Sequence, residues 1–575
     1  DNTASNRGGA IVLNENYYEI SLTNAYFGNN SGGNGGAIYN NGTLNLENVV
    51  FAGNTTNLSP SSQCYGGALY NSGTTTITNG VFTANHAKYQ GGAIYNSSGT
   101  SNLINTQIVN NLTDPSDSYG GSNGGGIFVN GTVNVTADKG ISTVTGNKII
   151  DTAFNAAHLW GSSSVLNFSA ANGGFVKVDG MINSQSTSNI VQFNSTNYYK
   201  NTIFSNSSFY NSTINAYGSV FFGTDTVFTD VSMKTYLANL SFDNGTIQTH
   251  NLESLSNSGN TYLHIDMDLA NNTSDKFNVT SFSGDALLLS CVNIMSDAAG
   301  KSFDIGVNVS SATTHWLTYT NDYGYYFTTS GSTVTANQTS TKSLYEIWTS
   351  SGLSNNFSLT KDLAIGNSYI AQSNLNVGEG INIFGNKHSI NASGYSCFLF
   401  QNNGFLFVHD VGEYDYSTGT VNASWNGNAT TASSTLGLFE LSTGHLWLNN
   451  SVFYNNASTD GGAIASAYGT SIFHINDSVF VSNTATNSGA LGAVMQLGGS
   501  ATVAIADSLF KSNSSGGYGG VISLDSTTAS ISIAGSTFDG NTAGANGGAI
   551  YSAGTTNIYN STFTNNTATQ GGAIY

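Results

Sequence analysis

Charge is what this chain has least of. Asp, Glu, Lys and Arg together make up 8 % of its 575 residues, against about a quarter in an average soluble domain. Arg7 is the only arginine, and the lysines are scattered singly from Lys88 to Lys511. Recognition of a phosphate backbone needs basic side chains gathered on one face. With that scatter and a net charge of −19, nucleic acid and anionic membrane surfaces are poor partners. Proline is confined to Pro60 and Pro115, and cysteine to Cys64, Cys291 and Cys397. Cysteines so far apart form neither a disulfide framework nor a metal knuckle, so they read as buried thiols. There is no signal peptide and no apolar run of bilayer length. The chain is also too long for one ordinary globular core. It must either divide into domains or grow along one axis.

What is present argues against disorder. Aromatic residues make up 11 % and hydrophobic residues 39 %, enough to offset chain entropy. Most of the rest is Gly, Asn, Ser and Thr, which favour turns and ladders over helices. A repeat organises them. Gly-Gly-Ala plus an aliphatic residue occurs at Gly8–Ile11, Gly35–Ile38, Gly66–Leu69 and Gly91–Ile94, with a near copy at Gly124–Ile127. It returns at Gly461–Ile464, Gly547–Ile550 and Gly571–Ile574, with degenerate copies at Leu491–Val494 and Gly519–Ile522. A second element, Phe-x-x-Asn, precedes most copies: Phe27 with Asn30, Phe51 with Asn54, Phe82 with Asn85, Phe453 with Asn456, Phe480 with Asn483, Phe510 with Asn513, Phe538 with Asn541 and Phe563 with Asn566. Between them lies a turn followed by an alternating segment, such as Asn41-Gly42 before Thr43–Glu47.

Turn-then-alternation reads as a short strand, and the spacing of roughly 24 to 33 residues lies in the solenoid range. Such strands cannot bury their apolar residues alone, but stacked coils can, with Phe over Phe and aliphatic over aliphatic. The predicted fold is all-β: a right-handed, single-stranded parallel β-helix of the pectate-lyase-like kind, with three short strands per coil. Its repeat positions are Gly35, Gly36, Ile38, Phe51, Asn54, Gly91, Gly92, Ile94, Phe538, Asn541, Gly547, Gly548, Ile550, Phe563 and Asn566. The Gly pair permits a sharp turn with positive φ. The Asn of Phe-x-x-Asn is expected at a left-handed corner, with its amide bonded to the next Asn in the stack. At roughly 26 residues per coil the chain would make about 22 coils, or about 100 Å of rod. Propeller, leucine-rich and calcium-binding repeats lack their required spacings here.

Four segments follow. Residues 1–135 carry clear repeats. Residues 136–345 keep strands and turns without the motif, an irregular β-helix. Residues 346–446 read as the start of a second β-helix module, with Ile381–Gly385 and Phe405–Val408 among its opening strands. Residues 447–575 carry clear repeats again. Ser343–Trp348 is the best helix or cap candidate. The chain begins and ends inside a repeat, which suggests a piece of something longer, and tandem modules are one option beside simple coil similarity.

Paired in register, these two motifs resemble the repeat signature of the chlamydial polymorphic outer-membrane proteins, most clearly over 1–135 and 447–575; related repeats occur in some protist surface proteins. The resemblance implies the β-helical passenger of an autotransporter-type surface protein. Such a protein acts extracellularly as an adhesin, and its membrane anchor would lie outside this chain. The implied partner is a host or neighbouring cell-surface protein or glycan. The alternative is a fibre or coat subunit associating end to end, and a polysaccharide-active enzyme is a third class.

Catalysis lacks material. A lyase-like site needs a basic residue near acidic calcium ligands, and Arg7 stands alone. A hydrolase-like site needs clustered carboxylates, and the nearest groups are Asp266 with Asp268 and Glu413 with Asp415. Both read as exposed strand carboxylates. His409 beside Asp410 reads as a surface pair. No two histidines fall at metal-ligand spacing in sequence, so no catalytic, metal or cofactor site is expected. Tyr39, Tyr70 and Tyr95 follow the motif's aliphatic residue, with Phe128 in the same place one coil on. By parity they face outward, either as a contact stripe or as a stabilising ladder. Asn54, Asn194 and Asn560 are among many Asn-x-Ser/Thr sequons, which matter only in a glycosylating host.

Overall fold

The strands are held in place by pairing between repeats. In the computed structural model, described at residues 1–56, 64–114, 124–150, 154–195, 202–298, 300–311, 317–340, 355–364, 380–392, 401–402, 404–427, 437–441 and 443–575, no helix occurs among the described residues. The chain is a parallel β-solenoid of about 17 turns. Cys397, His315 and the segment Ser343–Trp348 lie outside the described residues.

Register follows the motif. Ile38 pairs with Leu69, Leu69 with Ile94 and Ile94 with Ile127. Phe27, Phe51, Phe82 and Ile108 form a second column; Phe453, Phe480, Phe510, Phe538 and Phe563 form its counterpart late in the chain. The late rings stack face to face at 4.6–5.2 Å. Parallel strands lie about 4.8 Å apart, so identical rings on successive coils meet at stacking distance without distorting the backbone. Phe510→Ala removes a fully buried ring from between two others. It should cost about 3–5 kcal/mol, measurable by urea unfolding.

Each regular coil has a fourth, two-residue strand after the Asn, as at Ser31–Gly32, Thr55–Thr56 and His86–Ala87. The left-handed residue is not the motif Asn but the one before it: Asn29, Gly53, Ala84, Asn110, Asn455, Ser482, Ser512, Gly540 and Asn565 have φ near +50 to +66°. The motif Asn instead points inward as a buried ladder. Asn30, Asn54, Asn85 and Asn111 each donate a side-chain N–H to the Oδ1 of the next Asn, ending at Asn147, at 2.8–2.9 Å. A second inward ladder, Asn40–Asn71–Asn96, sits after the Tyr column.

The glycine pair divides two tasks. Gly35 has φ +72°, which any residue with a Cβ adopts at a cost. Gly36 has ordinary dihedrals, but a Cβ there would lie 2.0 Å from the carbonyl oxygen of Gly67 and 2.7 Å from that of Thr55. Both are backbone atoms of the adjoining coil. Gly36→Ala must therefore pry two coils apart, and should cost about 3 kcal/mol or more in the same unfolding measurement. In two late coils the motif slips by one residue. Ala465 pairs with Met495, Met495 with Ile522 and Ile522 with Ile550. The turn glycines are thus Gly462 and Gly492 (φ +53° and +65°), not Gly461 and Leu491 as the tetrapeptide suggests.

The stack is not one continuous rod. One hydrophobic core runs from Phe27 to Ala336 and a separate one from Tyr319 to Ile550. Between them an antiparallel patch (Lys301–Asp304, Gly324–Ser330 and Thr333–Thr339) covers the end of the first solenoid. Asp297 fastens this turn-around, accepting hydrogen bonds from Thr320 (2.8 Å), Tyr325 (3.0 Å) and Thr360 (2.8 Å). The second solenoid then returns alongside the first in the opposite direction. Ile294 meets Ser358, Asn293 meets Asn386, Phe221 meets Phe407 and Trp447, Phe175 meets Trp447, and Lys177 meets Asp507. Partner numbers rise as the first solenoid's numbers fall, which defines an antiparallel pair of arms. The expectation of about 22 coils in one rod of about 100 Å is corrected accordingly.

The faces that meet are outward-facing sheet rows. Lys177, Phe204, Phe221, Ser241, His264 and Cys291 form one register column. The opposing columns include Phe407, Trp447 and His474, and His409, Asn449 and Asn476. A third apolar cluster, including Ile141, Phe175, Phe221, Phe405, Phe407 and Trp447, fills the seam. At its centre Lys177, 5 % exposed, lies 2.6 Å from Asp507 and 3.1 Å from Asp477.

Candidate functional site

Three regions could carry function: the tyrosine column, a groove between the arms, and a polar cluster buried in the seam.

The tyrosine column is a continuous stack. Tyr39, Tyr70, Tyr95 and Phe128 lie 4.7–5.1 Å apart, ring to ring. Tyr39 is buried and capped by the Arg7 guanidinium at 4.5 Å. Tyr70 and Tyr95 are half-buried, and Tyr65 leans on Tyr95 at 4.6 Å. Burial raises the Tyr95 phenol well above its ordinary value, with Tyr70 and Tyr65 adding to the shift. The repeat glycines, Ile38, Ile94, Ile550, Phe51 and Phe538 are interior positions, and Asn54 and Asn541 belong to the buried ladders. Phe563 and Asn566 continue the same columns.

The groove opens where early coils of the first arm face late coils of the second. It has a volume of about 970 Å³ and a lining of Thr, Asn and Ser, including Asn79, Asn105, Thr502, Ser530 and Asn557, with Asp138 and Lys139 at one side.

The seam cluster overturns two sequence expectations. Asp266 is fully buried, not an exposed strand carboxylate, and His409 and Asp410 are 3 % and 9 % exposed, not a surface pair. Period-two alternation places Asp266 with Asp268 on one face, away from the core residues Ile265 and Met267. That face is covered by the other arm. Asp266 accepts hydrogen bonds from the backbone of Gly245 (2.8 Å) and Thr246 (3.0 Å) and from Asn293 (2.6 Å). Asp275 accepts from Gln248 (2.7 Å) and Asp266 (2.8 Å). Asp268 is half-buried and bonded to Ser296 and Asn271. Glu413 is exposed, and hydrogen bonds from Ser417 and Thr418 lower Asp415 to about 2.

Nearby, Asp243, His264 and Cys291 place one ligand-type atom each within 4.8 Å of one another. Sequence spacing missed this group because its members sit on three successive coils. The signal that could have found it is coil register, which pairs His264 with Cys291 and sets Asp243 two residues beyond the partner of His264, and which requires the structure. Elsewhere in the seam His445 and His474 stand 3.2 Å apart, and His474 reaches the carbonyl of Gly173 at 3.0 Å.

These buried groups set a pH dependence. Burial raises Asp275 to about 8 and Asp179 and Asp410 to about 7. Unfolded aspartate titrates near about 3.9. Each native group therefore holds a proton that the unfolded chain has lost. The resulting stability is complete below about pH 4 and disappears as pH rises through the native values. His158, His250, His409 and His474 act oppositely. Burial lowers each to about 4, so they withdraw stability as pH falls from about 6.5 towards 4. Between pH 6.5 and 8 the aspartates act without that compensation. Stability should decline across this window, and Asp275→Asn should flatten the decline in its upper half, as read from denaturation midpoints at each pH.

The architecture is that of a repeat β-solenoid, with its regularity concentrated in the early and late coils. Segments 79–97, 535–553 and 560–575 match the family model for the Chlamydia polymorphic membrane protein (Chlamydia_PMP) repeat. One match lies in the first arm and two in the second, so both arms contain copies of this repeat. No curated protein matches the chain. Among the described residues no helix is long and apolar enough to cross a membrane, which says nothing of a β-barrel.

Proposed function

We propose that this chain is the passenger of a surface-displayed protein and mediates attachment to cells or surfaces, without catalysis. The observation that carries this reading is the recurrence of the polymorphic membrane protein repeat, in register, in both arms. A rigid, weakly charged body with repeated faces suits many weak contacts acting together. Its partner would be a host or neighbouring cell-surface protein or glycan. The polar groove offers Asn, Ser and Thr side chains for hydrogen bonding to an extended glycan, and the tyrosine column offers partly exposed ring edges. The buried carboxylates Asp266 and Asp275 are engaged by backbone donors inside the seam.

Beads coated with the purified chain should adhere to epithelial cells above albumin-coated beads; equal adhesion would contradict the reading. Replacing Tyr39, Tyr70 and Tyr95 with Ser tests the stripe separately. Loss of adhesion by about tenfold, equivalent to ~1.4 kcal/mol, is expected if it makes contact. Unchanged adhesion by a folded variant leaves the column a purely structural ladder.

A further inference from the structure

The seam contains one acidic group whose needs the protein does not meet. Asp243 is 4 % exposed, and neither of its carboxylate oxygens accepts a hydrogen bond. Its neighbours Asp266 and Asp275 are each held by backbone N–H groups. The closest cationic candidate for Asp243 is His264 Nδ1 at 3.6 Å, beyond hydrogen-bond length. An ionised carboxylate buried without donors is costly.

The surrounding groups are metal-ligand types. His264 and Cys291 are register partners on successive coils, and Asp243 lies two residues beyond Ser241, the partner of His264 on the coil before. All three side chains occupy the outward face, under the second arm. From that arm comes His409, 3 % exposed, whose Nε2 has no hydrogen-bond partner. A neutral imidazole is the form that binds metals.

We propose that Asp243, His264 and Cys291, with His409 as the fourth donor from the opposite arm, form a buried zinc site that fastens the two arms together. The donor set is one carboxylate, one thiolate and two imidazoles, which suits a borderline-soft ion with tetrahedral preference. The charges also balance. Zn²⁺ with Asp⁻, Cys⁻ and two neutral histidines is neutral overall, as a dry site requires. Binding displaces to solvent the Cys291 thiol proton and any proton on the ligating ring nitrogens, and leaves no charge unpaired. Tetrahedral ligands with bonds of about 2.0–2.3 Å lie closer together than 4.8 Å, so the side chains close inward slightly when the ion enters.

The test uses the full chain, stripped with chelator and titrated with Co²⁺ and then Zn²⁺. The site requires one equivalent of Co²⁺ with a sulfur-to-cobalt charge-transfer band in the near ultraviolet, bleached by Zn²⁺. It also requires a zinc-dependent rise in the unfolding midpoint. Cys291→Ser should abolish the band, and Asp243→Asn and His264→Ala should weaken binding at least about tenfold, with folding followed by circular dichroism. His409→Gln should weaken zinc binding while preserving the thiolate band. Absence of the band in the wild-type chain overturns the proposal even if no variant folds. So does zinc affinity that is unchanged in folded Cys291→Ser and Asp243→Asn.

Discussion

Asn54→Ala is expected to destabilise the chain by about 3–5 kcal/mol, several times the effect of an ordinary polar truncation. Asn54 is fully buried, and four hydrogen bonds use its side chain. Its Oδ1 accepts from the backbone N–H of Asn30 at 3.0 Å and the Asn30 side chain at 2.8 Å. Its Nδ2 donates to the carbonyl of Phe27 at 2.8 Å and to Asn85 Oδ1 at 2.9 Å. Alanine leaves two Asn30 donors without these acceptors, in a place water does not reach. Each buried unsatisfied group costs about 1–3 kcal/mol. The outward Asn102–Asn134–Asn167 ladder has similar bonds at 2.7–2.8 Å, but Asn134 is half-buried and water can replace its partner. Asn134→Ala should cost less than about 1 kcal/mol. Urea denaturation of both variants checks the contrast; equal losses would show that the inward ladder has no special energetic role.

Lys177→Met is the second large effect, and acts between the arms instead of between coils. Methionine retains most of the aliphatic stem and removes the charge. Three carboxylates then face one another without a cation: Asp507, Asp477 and Asp179, the last with a buried oxygen already lacking a hydrogen bond. Breaking a buried ion pair by removing one partner typically costs about 3–5 kcal/mol. Asp477 and Asp507 side chains are 42 % and 41 % exposed, so water screens part of this and about 2–4 kcal/mol is expected. The loss should appear as separation of the arms before either unfolds. Two transitions, or earlier exposure of Trp447 fluorescence, would register it. A single transition with an unchanged midpoint would mean that the ion pair does not hold the seam.

Much of the coil was readable in the sequence because its determinants are local and recur. A Phe every coil, an Asn three residues later and a glycine pair prescribe stacking wherever they occur. The left-handed corner was placed one residue late because Asn favours both that conformation and an inward amide ladder, and composition does not separate the two. The fold-back was harder to read. Period-two alternation identifies a strand's outward face but not what covers it. A trace was present: Phe405–Val408 and Phe175–Val178 are nearly apolar at both parities, the pattern of strands buried on two sides. Asp266, Cys291 and His409 looked unrelated because their proximity depends on coil register and on the return of the second arm.

Spin labels at Asn79 and Asn557, both on the groove, test the folded-back arrangement most directly. Pulsed dipolar spectroscopy should give one short, narrow distance distribution, because these coils face each other across the groove. With about 17 turns and roughly 4.8 Å per turn, a single unbent solenoid would hold the labels on the order of 60 Å apart. A dominant distance of that size would contradict the two-arm structure, and with it the seam, the Lys177 ion pairs and the zinc site.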